Sequence, residues 1–202
     1  MTHYSQNNEQ EAILEAVKDL PTGRFLDIGA YDGETFSNTL ALAELGWRGV
    51  YVEPGATAFK KLAEFWEGKV GRDKMTLIHA LVGLESRDLV DFWDCGDLYS
   101  TTEKENRERF QHTAHFSEAK ILMPQIGISE LLQKFEPFDV VSIDTEGTSV
   151  ALFIEMLHCH EILGRPLPRV VCVEHDGCNL IASFYGYREV LRTSENSVFV
   201  RG

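Results

Sequence analysis

The stretch FLDIGAYDG, at residues 25–33, decides how this chain is expected to fold. Its first four residues form a short apolar run around Asp27, and the rest is a turn between Gly29 and Gly33. A glycine turn that leaves a strand and enters a helix lets the backbone approach a ligand beneath the positive end of that helix. The stretch therefore predicts an α/β unit with a nucleotide-type ligand site at the turn.

Acidic residues beside this turn indicate the charge of the ligand. Asp27 and Asp32 stand next to the glycines, and Glu53 follows the next expected strand. A dinucleotide-binding turn carries a fuller glycine pattern for the pyrophosphate, and an acidic residue about 20 positions later accepts hydrogen bonds from ribose hydroxyls. Because carboxylates repel pyrophosphate, the pattern favours an ammonium or sulfonium ligand with an adenosine part over NAD.

Apolar runs alternate with segments of helical period from Arg24 to about Phe184, which is typical of strand-helix-strand units around a parallel sheet. The expected strands are 25–28, 49–52, 76–78, 138–143 and 169–173. Segments 186–191 and 197–200 flank a polar turn and predict an antiparallel hairpin with one reversed strand. The expected helical stripes are Ile13, Leu14, Val17 and Leu20; Phe36, Leu40 and Ala43; Phe59, Leu62 and Trp66; and Val150, Phe153, Ile154 and Leu157.

Three motifs in this order make the chain resemble the FkbM-type family of class I S-adenosylmethionine-dependent methyltransferases. They are LDIGAYDG at 26–33, VEP at 52–54 and SIDTEG at 142–147. The likeness extends from about Arg24 to Val200, and Gly186-Tyr187 matches the pair that opens the terminal hairpin of family members. The resemblance implies a Rossmann-like class I methyltransferase fold, an α/β fold whose mostly parallel seven-stranded sheet ends in a C-terminal antiparallel hairpin.

The same resemblance implies S-adenosylmethionine as cofactor and a hydroxyl on a sugar or another small metabolite as methyl acceptor. The chain departs from the commonest family pattern at Thr145 and at Thr148-Ser149. The residues expected at the cofactor site lie at or near the ends of the first three strands. They are Asp27, Gly29, Ala30, Tyr31, Asp32, Gly33, Glu53, Pro54, Ala80 and Leu81.

Candidates for the reaction centre follow the fourth and fifth expected strands. Asp144 lies at the edge where ligands of open α/β sheets bind, as a candidate base for the acceptor hydroxyl or a metal ligand. Glu146 and His175 are further catalytic candidates. Glu146 is alternatively a cap of the next helix or a support of the Gly147 turn.

A magnesium or manganese site is one interpretation of the acidic residues at this edge. Its candidate ligands are Asp144, Glu174 and Asp176. Consecutive side chains of a strand point to opposite faces, so this set converges only if the backbone turns at Gly177. A hydrogen-bonded loop without a metal is the alternative interpretation.

The segment 94–123 lacks sustained periodicity and is longer than an ordinary connection. We predict that it is a lid or insertion that selects the acceptor through Tyr99, Arg107, Arg109, His112 and His115. The alternative is a surface excursion with a short exposed helix. Phe92 and Trp93, just before it, are candidates for either a ligand pocket or the core.

Composition narrows the class of protein. At 202 residues and 44% hydrophobic content, a single domain, residues 1–202, is expected. The net charge of -13 opposes attraction to phosphate backbones, so nucleic acid is not an expected partner. Four scattered cysteines and the lack of an apolar run of eighteen residues predict a cytoplasmic protein without a membrane span.

The sequence therefore predicts a methyltransferase that acts on a hydroxyl of a small molecule. Two alternatives use the same fold: an aminopropyltransferase-like enzyme that uses decarboxylated S-adenosylmethionine, and a nucleoside-binding module without catalysis. The first needs a polyamine site rich in carboxylates, and the second predicts cofactor affinity without any acceptor.

Overall fold

The computed structural model describes residues 2–94, 120–135, 137–175 and 182–202. The helices are α1 (Glu9–Ala16), α2 (Leu40–Glu44), α3 (Ala56–Trp66), α4 (Ile128–Lys134) and α5 (Ser149–Leu163), with 3-10 turns at Arg72–Lys74 and Ser183–Tyr185. The strands are β1 (Arg24–Ile28), β2 (Arg48–Val52), β3 (Met75–Ile78), β4 (Leu81–Gly83), β5 (Arg87–Trp93), β6 (Lys120–Gly127), β7 (Val140–Ile143), β8 (Val170–Glu174), β9 (Tyr187–Arg192) and β10 (Asn196–Arg201).

The main sheet has seven strands in the order β3-β2-β1-β7-β8-β10-β9. Strand β10 is antiparallel to both of its neighbours, and the other pairs are parallel. This arrangement confirms the predicted mostly parallel seven-stranded sheet with its C-terminal antiparallel hairpin. The central strands β1, β7 and β8 are buried along nearly their whole length, as expected of parallel strands covered on both faces.

The order of the strands reverses between β1 and β7. From β1 the chain proceeds to β2 on one side, whereas from β7 it proceeds to β8 on the other. The connections therefore leave a crevice at the carboxyl ends of these two strands, which is where open α/β sheets bind ligands. The Asp144 amide donates to the carbonyl of Ile28 at 2.9 Å, and this bond holds the two strand ends together at the crevice.

Two apolar layers enclose the sheet because alternate residues of each strand point to opposite faces. Leu26 and Ile28 of β1 pack on the face that holds Phe153 and Leu157 of α5. Phe25 packs on the opposite face, in the layer that α1, α2 and α3 help to build. The helical stripe predicted from Ile13 to Leu20 is confirmed in its first part by α1, which ends at Ala16, before Val17 and Leu20.

The predicted helical stripe from Phe36 to Ala43 is wrong in its first part. Helix α2 begins at Leu40, and Phe36 is about half exposed with a positive φ of 55°. Local hydrogen bonds cause the late start, since Asp32 accepts from the amides of Glu34 and Thr35 and extends the turn. In α5, Ile154 likewise faces solvent, whereas its predicted partners Phe153 and Leu157 are buried.

A second, three-stranded sheet with the order β4-β6-β5 was not predicted. Its strand β6 begins inside the segment 94–123, which the sequence analysis treated as irregular. One face packs Leu81, Phe92 and Met123 together. Residues 95–119, including the proposed acceptor-binding residues of the lid, lie outside the described residues.

Within the described ranges, no helix is long and apolar enough to cross a membrane. Cys159 and Cys172 are buried free thiols. The cytoplasmic location and the single-domain organisation over 1–202 stay predictions.

Candidate active site

A cleft of about 1230 Å³ opens at the carboxyl ends of β1, β2 and β7. Six of the residues predicted at the cofactor site line this cleft: Gly29, Tyr31, Glu53, Pro54, Ala80 and Leu81. The candidates Asp144 and Glu146 line it too. The fold thus brings six of the ten expected cofactor residues and two of the three catalytic candidates to one cavity.

Gly29 lies in a position that excludes every other residue. Its φ is +83°, and a Cβ added there would lie 1.6 Å from the carbonyl oxygen of Asp144. The amides of Gly29 and Ala30 both donate to the carbonyl of Val52, at 2.9 and 3.2 Å. These contacts lock the turn against β2 and β7, so that its backbone forms the floor of the cleft.

Four predicted cofactor residues do not line the cleft and instead build the turn from beneath. Asp27 is buried, and its Oδ2 accepts from the Thr39 hydroxyl at 2.6 Å. The carboxylate of Asp32 accepts from two amides of the turn, Ala30 is buried, and Gly33 packs against Leu62. Direct ligand contact by these four residues stays a prediction, whereas their support of the turn is visible.

The carboxylate of Glu53, just after β2, accepts hydrogen bonds from the turn after β1 and from the loop after β2. One oxygen accepts from the Tyr31 amide at 2.8 Å and the other from the Gly55 amide at 2.7 Å. Burial raises the pKa of Glu53 to about 7, and these two amide bonds oppose that effect. Each oxygen keeps a further lone pair, so the side chain remains able to accept hydrogen bonds from a ligand in the cleft.

Asp94 and His79 support the loop after Glu53. The carboxylate of Asp94 accepts from the Ala56 amide at 3.0 Å, at the N-terminus of α3. A carboxylate is favoured there because the first amides of a helix are unpaired within it. The ring of His79 stacks on Phe59, with 4.6 Å between centroids, and His79 Nε2 lies 3.0 Å from the Pro54 carbonyl oxygen.

Asp144, Glu146 and Glu174 bring carboxylate oxygens within 4.8 Å of one another. Burial is the main cause that raises the pKa of Asp144 well above its usual range, and the nearby charges of Glu174 and Glu146 add to it. Glu146 adopts a positive φ of 46° and Gly147 one of 106°, so the chain turns sharply after Asp144. This turn lets Asp144 and Glu146 lie close together.

Residues that were not predicted for the site hold Glu174 in this group. The Ser149 hydroxyl donates to Glu174 Oε2 at 3.0 Å and accepts from the Thr145 amide at 2.8 Å. The Thr145 hydroxyl lies 2.9 Å from that of Thr148 and 3.1 Å from that of Ser149. These are the positions at which the chain departs from the commonest family pattern, and the departure was the signal that marked them.

His175 takes a different place from the one predicted. It is buried, and its Nε2 donates to the carbonyl of Thr193 at 3.2 Å, on the turn between β9 and β10. It is not among the described residues that line the cleft. Its side chain therefore ties β8 to the hairpin, and Asp176, the third predicted metal ligand, lies outside the described residues.

This fold and this cleft define a Rossmann-like protein of the methyltransferase class. A sequence model described as the methyltransferase FkbM domain matches residues 27–177, so the chain belongs to the FkbM methyltransferase family. No curated protein matches the chain by sequence.

Solved structures share the fold at low sequence identity. The methyltransferase FkbM from Methylobacillus flagellatus KT superposes with a TM-score of 0.59 and 11% identity, over 98% of this chain and 56% of that one. An O-methyltransferase from Bacillus cereus, solved in complex with SAH (S-adenosylhomocysteine), has a TM-score of 0.52 and 14% identity, over 100% of this chain and 84% of that one.

Proposed function

We propose that this methyltransferase uses S-adenosylmethionine to methylate a hydroxyl group of a small molecule, with saccharides among the candidate acceptors. The observation that carries the proposal is the cleft itself, which the Gly29 turn, Glu53 and Asp144 line together. Methyl transfer requires that the acceptor is held in line with the methyl donor. A cavity that contains both ligand-binding groups and a candidate base meets this requirement.

The chemistry of the cleft fits this cofactor. Glu53 offers carboxylate lone pairs to the two ribose hydroxyls, and Gly29 leaves room for close approach to the backbone. Carboxylates near the reaction centre suit a cation, and S-adenosylmethionine supplies its methyl group from a positively charged sulfonium. An O-methyltransferase of the same fold was solved in complex with SAH, which supports the same choice of cofactor.

Asp144 is the residue that we assign as general base. It lines the cleft beside the Gly29 turn, and its raised pKa brings the carboxyl nearer to the range in which a base accepts a proton from an alcohol. In the reaction the acceptor oxygen forms a bond to the methyl carbon while the bond from that carbon to the sulfonium sulfur breaks, which releases S-adenosylhomocysteine, and the hydroxyl proton passes to the Asp144 carboxylate. Glu146 lies beside Asp144 and raises its affinity for that proton by charge repulsion.

The second part of the proposal is a divalent cation bound by three neighbouring carboxylates. Asp144, Glu146 and Glu174 are oxygen ligands of the kind that magnesium and manganese take, and the other expected ligand, Asp176, lies outside the described residues. A bound cation would offset the repulsion among the three carboxylates, and Asp144 would then serve as a metal ligand in place of a base. Activity that survives EDTA unchanged and does not rise with added Mg²⁺ or Mn²⁺ would dismiss the metal while leaving the base in place.

The alternatives are an aminopropyltransferase and a non-catalytic module. The test is a screen with methyl-labelled S-adenosylmethionine over sugars, glycolipids, phenols and short peptides, together with calorimetric titrations of SAH, NAD and decarboxylated S-adenosylmethionine. We expect SAH to bind, NAD not to bind, and label to enter a hydroxyl compound. Transfer of an aminopropyl group, or SAH binding with no labelled product, would select the respective alternative.

A further inference from the structure

The three-stranded sheet, called the small sheet below, forms one side of the cleft. Three leucines on or next to this sheet line the cavity, and we call them the leucine wall. Leu84, Leu89 and Leu122 are 55%, 58% and 59% exposed, and all three line the cleft that holds Asp144. Large apolar side chains left open to solvent within a concave site mark a surface that binds a ligand. Leu84 follows β4, and the other two lie on β5 and β6.

The pairing of β5 and β6 brings two of these leucines to the same wall of the cleft. Asp91 is paired with Leu122 across the strands, and Leu89 lies two residues before Asp91, within the irregular pairing between Arg87 and Val90. Leu89 and Leu122 both line the cleft. Leu81, Phe92 and Met123 are packed together and buried. Leu81 and Phe92 also line the cleft but are buried, whereas Leu84, Leu89 and Leu122 are exposed to it.

The charges of the same cleft exclude one class of acceptor. Six carboxylates line it: Glu53, Glu85, Asp91, Asp144, Glu146 and Glu155. Arg87 is the one lysine or arginine among the described lining residues, and its guanidinium already donates to Glu85. Asp91 is likewise paired, with Lys120 at 2.7 Å. Without a divalent cation at Asp144, an acceptor with a phosphate or carboxylate would meet repulsion from the other carboxylates, which no further lysine or arginine among the described lining residues offsets.

We propose that the acceptor is a hydroxylated amphiphile without an anionic group, whose aliphatic part lies on Leu84, Leu89 and Leu122 while its hydroxyl reaches Asp144. This inference rests on the proposed function, since it assigns the leucine wall to the methyl acceptor. It narrows the acceptor from any small hydroxyl compound to one with a polar hydroxyl end and an aliphatic end. Free sugars and sugar phosphates are then poor acceptors.

The test compares the binding of four probes to the SAH-saturated protein by calorimetry, below their micelle concentrations. The probes are methyl, hexyl and octyl β-D-glucoside and octyl phosphate. Each fully buried methylene strengthens binding about fourfold. Octyl glucoside has two methylenes more than hexyl glucoside, and if each is half buried on the leucines, octyl glucoside binds about fourfold more tightly. Octyl phosphate, with the same chain, is expected to bind at least about tenfold more weakly than octyl glucoside.

Substitutions in the leucine wall test whether these residues cause the gain in affinity with chain length. Leu89→Ser and Leu122→Ser should each remove most of the gain from hexyl to octyl glucoside and leave SAH affinity unchanged. Leu45→Ser is the matched control, because Leu45 is half exposed but does not line the cleft. Equal affinity for the whole glucoside series, tighter binding of octyl phosphate, or an equal loss in the control would overturn the proposal.

These outcomes separate the inference from the proposed function because the binding test needs no methyl transfer. If affinity rises with alkyl chain length and depends on the leucines, but the protein methylates no hydroxyl, O-methylation is refuted and the leucine wall remains a binding surface. Methylation of alcohols at rates and affinities independent of their aliphatic part would refute the wall and keep the proposed reaction.

Discussion

The Cα of Gly29 lies against the carbonyl of Asp144, so closely that a Cβ on Gly29 would be 1.6 Å from that oxygen. The two residues are far apart in the chain, and each ends a central strand at the point where the strand order reverses. This contact joins the cofactor turn to the candidate base. The geometry of the cleft therefore depends on the absence of one side chain.

Gly29→Ala should be far more destabilising than an ordinary glycine substitution. Besides the strain of the positive φ, its methyl group would displace the backbone at Asp144, and we expect a loss of at least about 3 kcal/mol in the free energy of unfolding. Gly68→Ala is the control, since Gly68 also has a positive φ but has no atom within 4 Å of its added Cβ. Denaturant unfolding that gives equal losses for both variants would contradict the close approach.

Glu53→Ala should weaken the binding of SAH by about 10- to 150-fold. The expected loss corresponds to charge-assisted hydrogen bonds worth about 1.5–3 kcal/mol to the ribose hydroxyls. Glu64→Ala on the exposed side of α3 is the control, because its ion pair with Lys60 is at the surface. Calorimetry that finds unchanged SAH affinity in Glu53→Ala would rule out the ribose contact.

The buried carboxyl of Glu53 should also make stability depend on pH. Its pKa rises from 4.5 to about 7 on folding, so the folded state binds more protons between these values and the free energy of unfolding falls as pH rises through this window. At pH 8 the ionisation of buried Glu53 lowers the free energy of unfolding of the wild type by up to about 3 kcal/mol. The variant Glu53→Gln has no ionisable group at this position and does not lose this stability.

Urea unfolding of both proteins from pH 4.5 to 8 measures this difference. We expect Glu53→Gln to gain stability relative to the wild type as pH rises, with most of the gain between pH 5 and 7. Asp27, whose pKa is raised to about 6 by burial, acts in both proteins alike and cancels in the comparison. A constant difference over the range would show that Glu53 keeps an ordinary pKa.

Asp144→Asn should lower kcat by about 100-fold or more and change SAH affinity by less than about threefold. The substitution keeps the size of the side chain and removes the base that accepts the hydroxyl proton. Asp88→Asn, at an exposed position of β5 that does not line the cleft, is the control. A normal turnover number for Asp144→Asn with an identified acceptor would show that Asp144 is neither the base nor an essential metal ligand.

Much of the main sheet could be predicted because its signals are local. Buried parallel strands appear as short apolar runs, and the turns between Gly29 and Gly33 and at Gly147 follow the strands directly. The small sheet could not be predicted in this way. Strand β5 has polar and apolar residues on both faces, and its partner β6 follows only after residues 95–119, so pairing over that distance leaves no local pattern.

The sequence by itself determined the family, the succession of the main strands along the chain and the places of Gly29 and Glu53 after the first two of them, because these depend on short motifs and on periodicity within single elements. The tertiary structure alone decided which carboxylates face the cleft. It turned Asp27 inward to Thr39, held Glu174 beside Asp144 through Ser149, and directed His175 to the hairpin. Such choices depend on packing and hydrogen bonds between segments distant in the chain, which no local pattern contains.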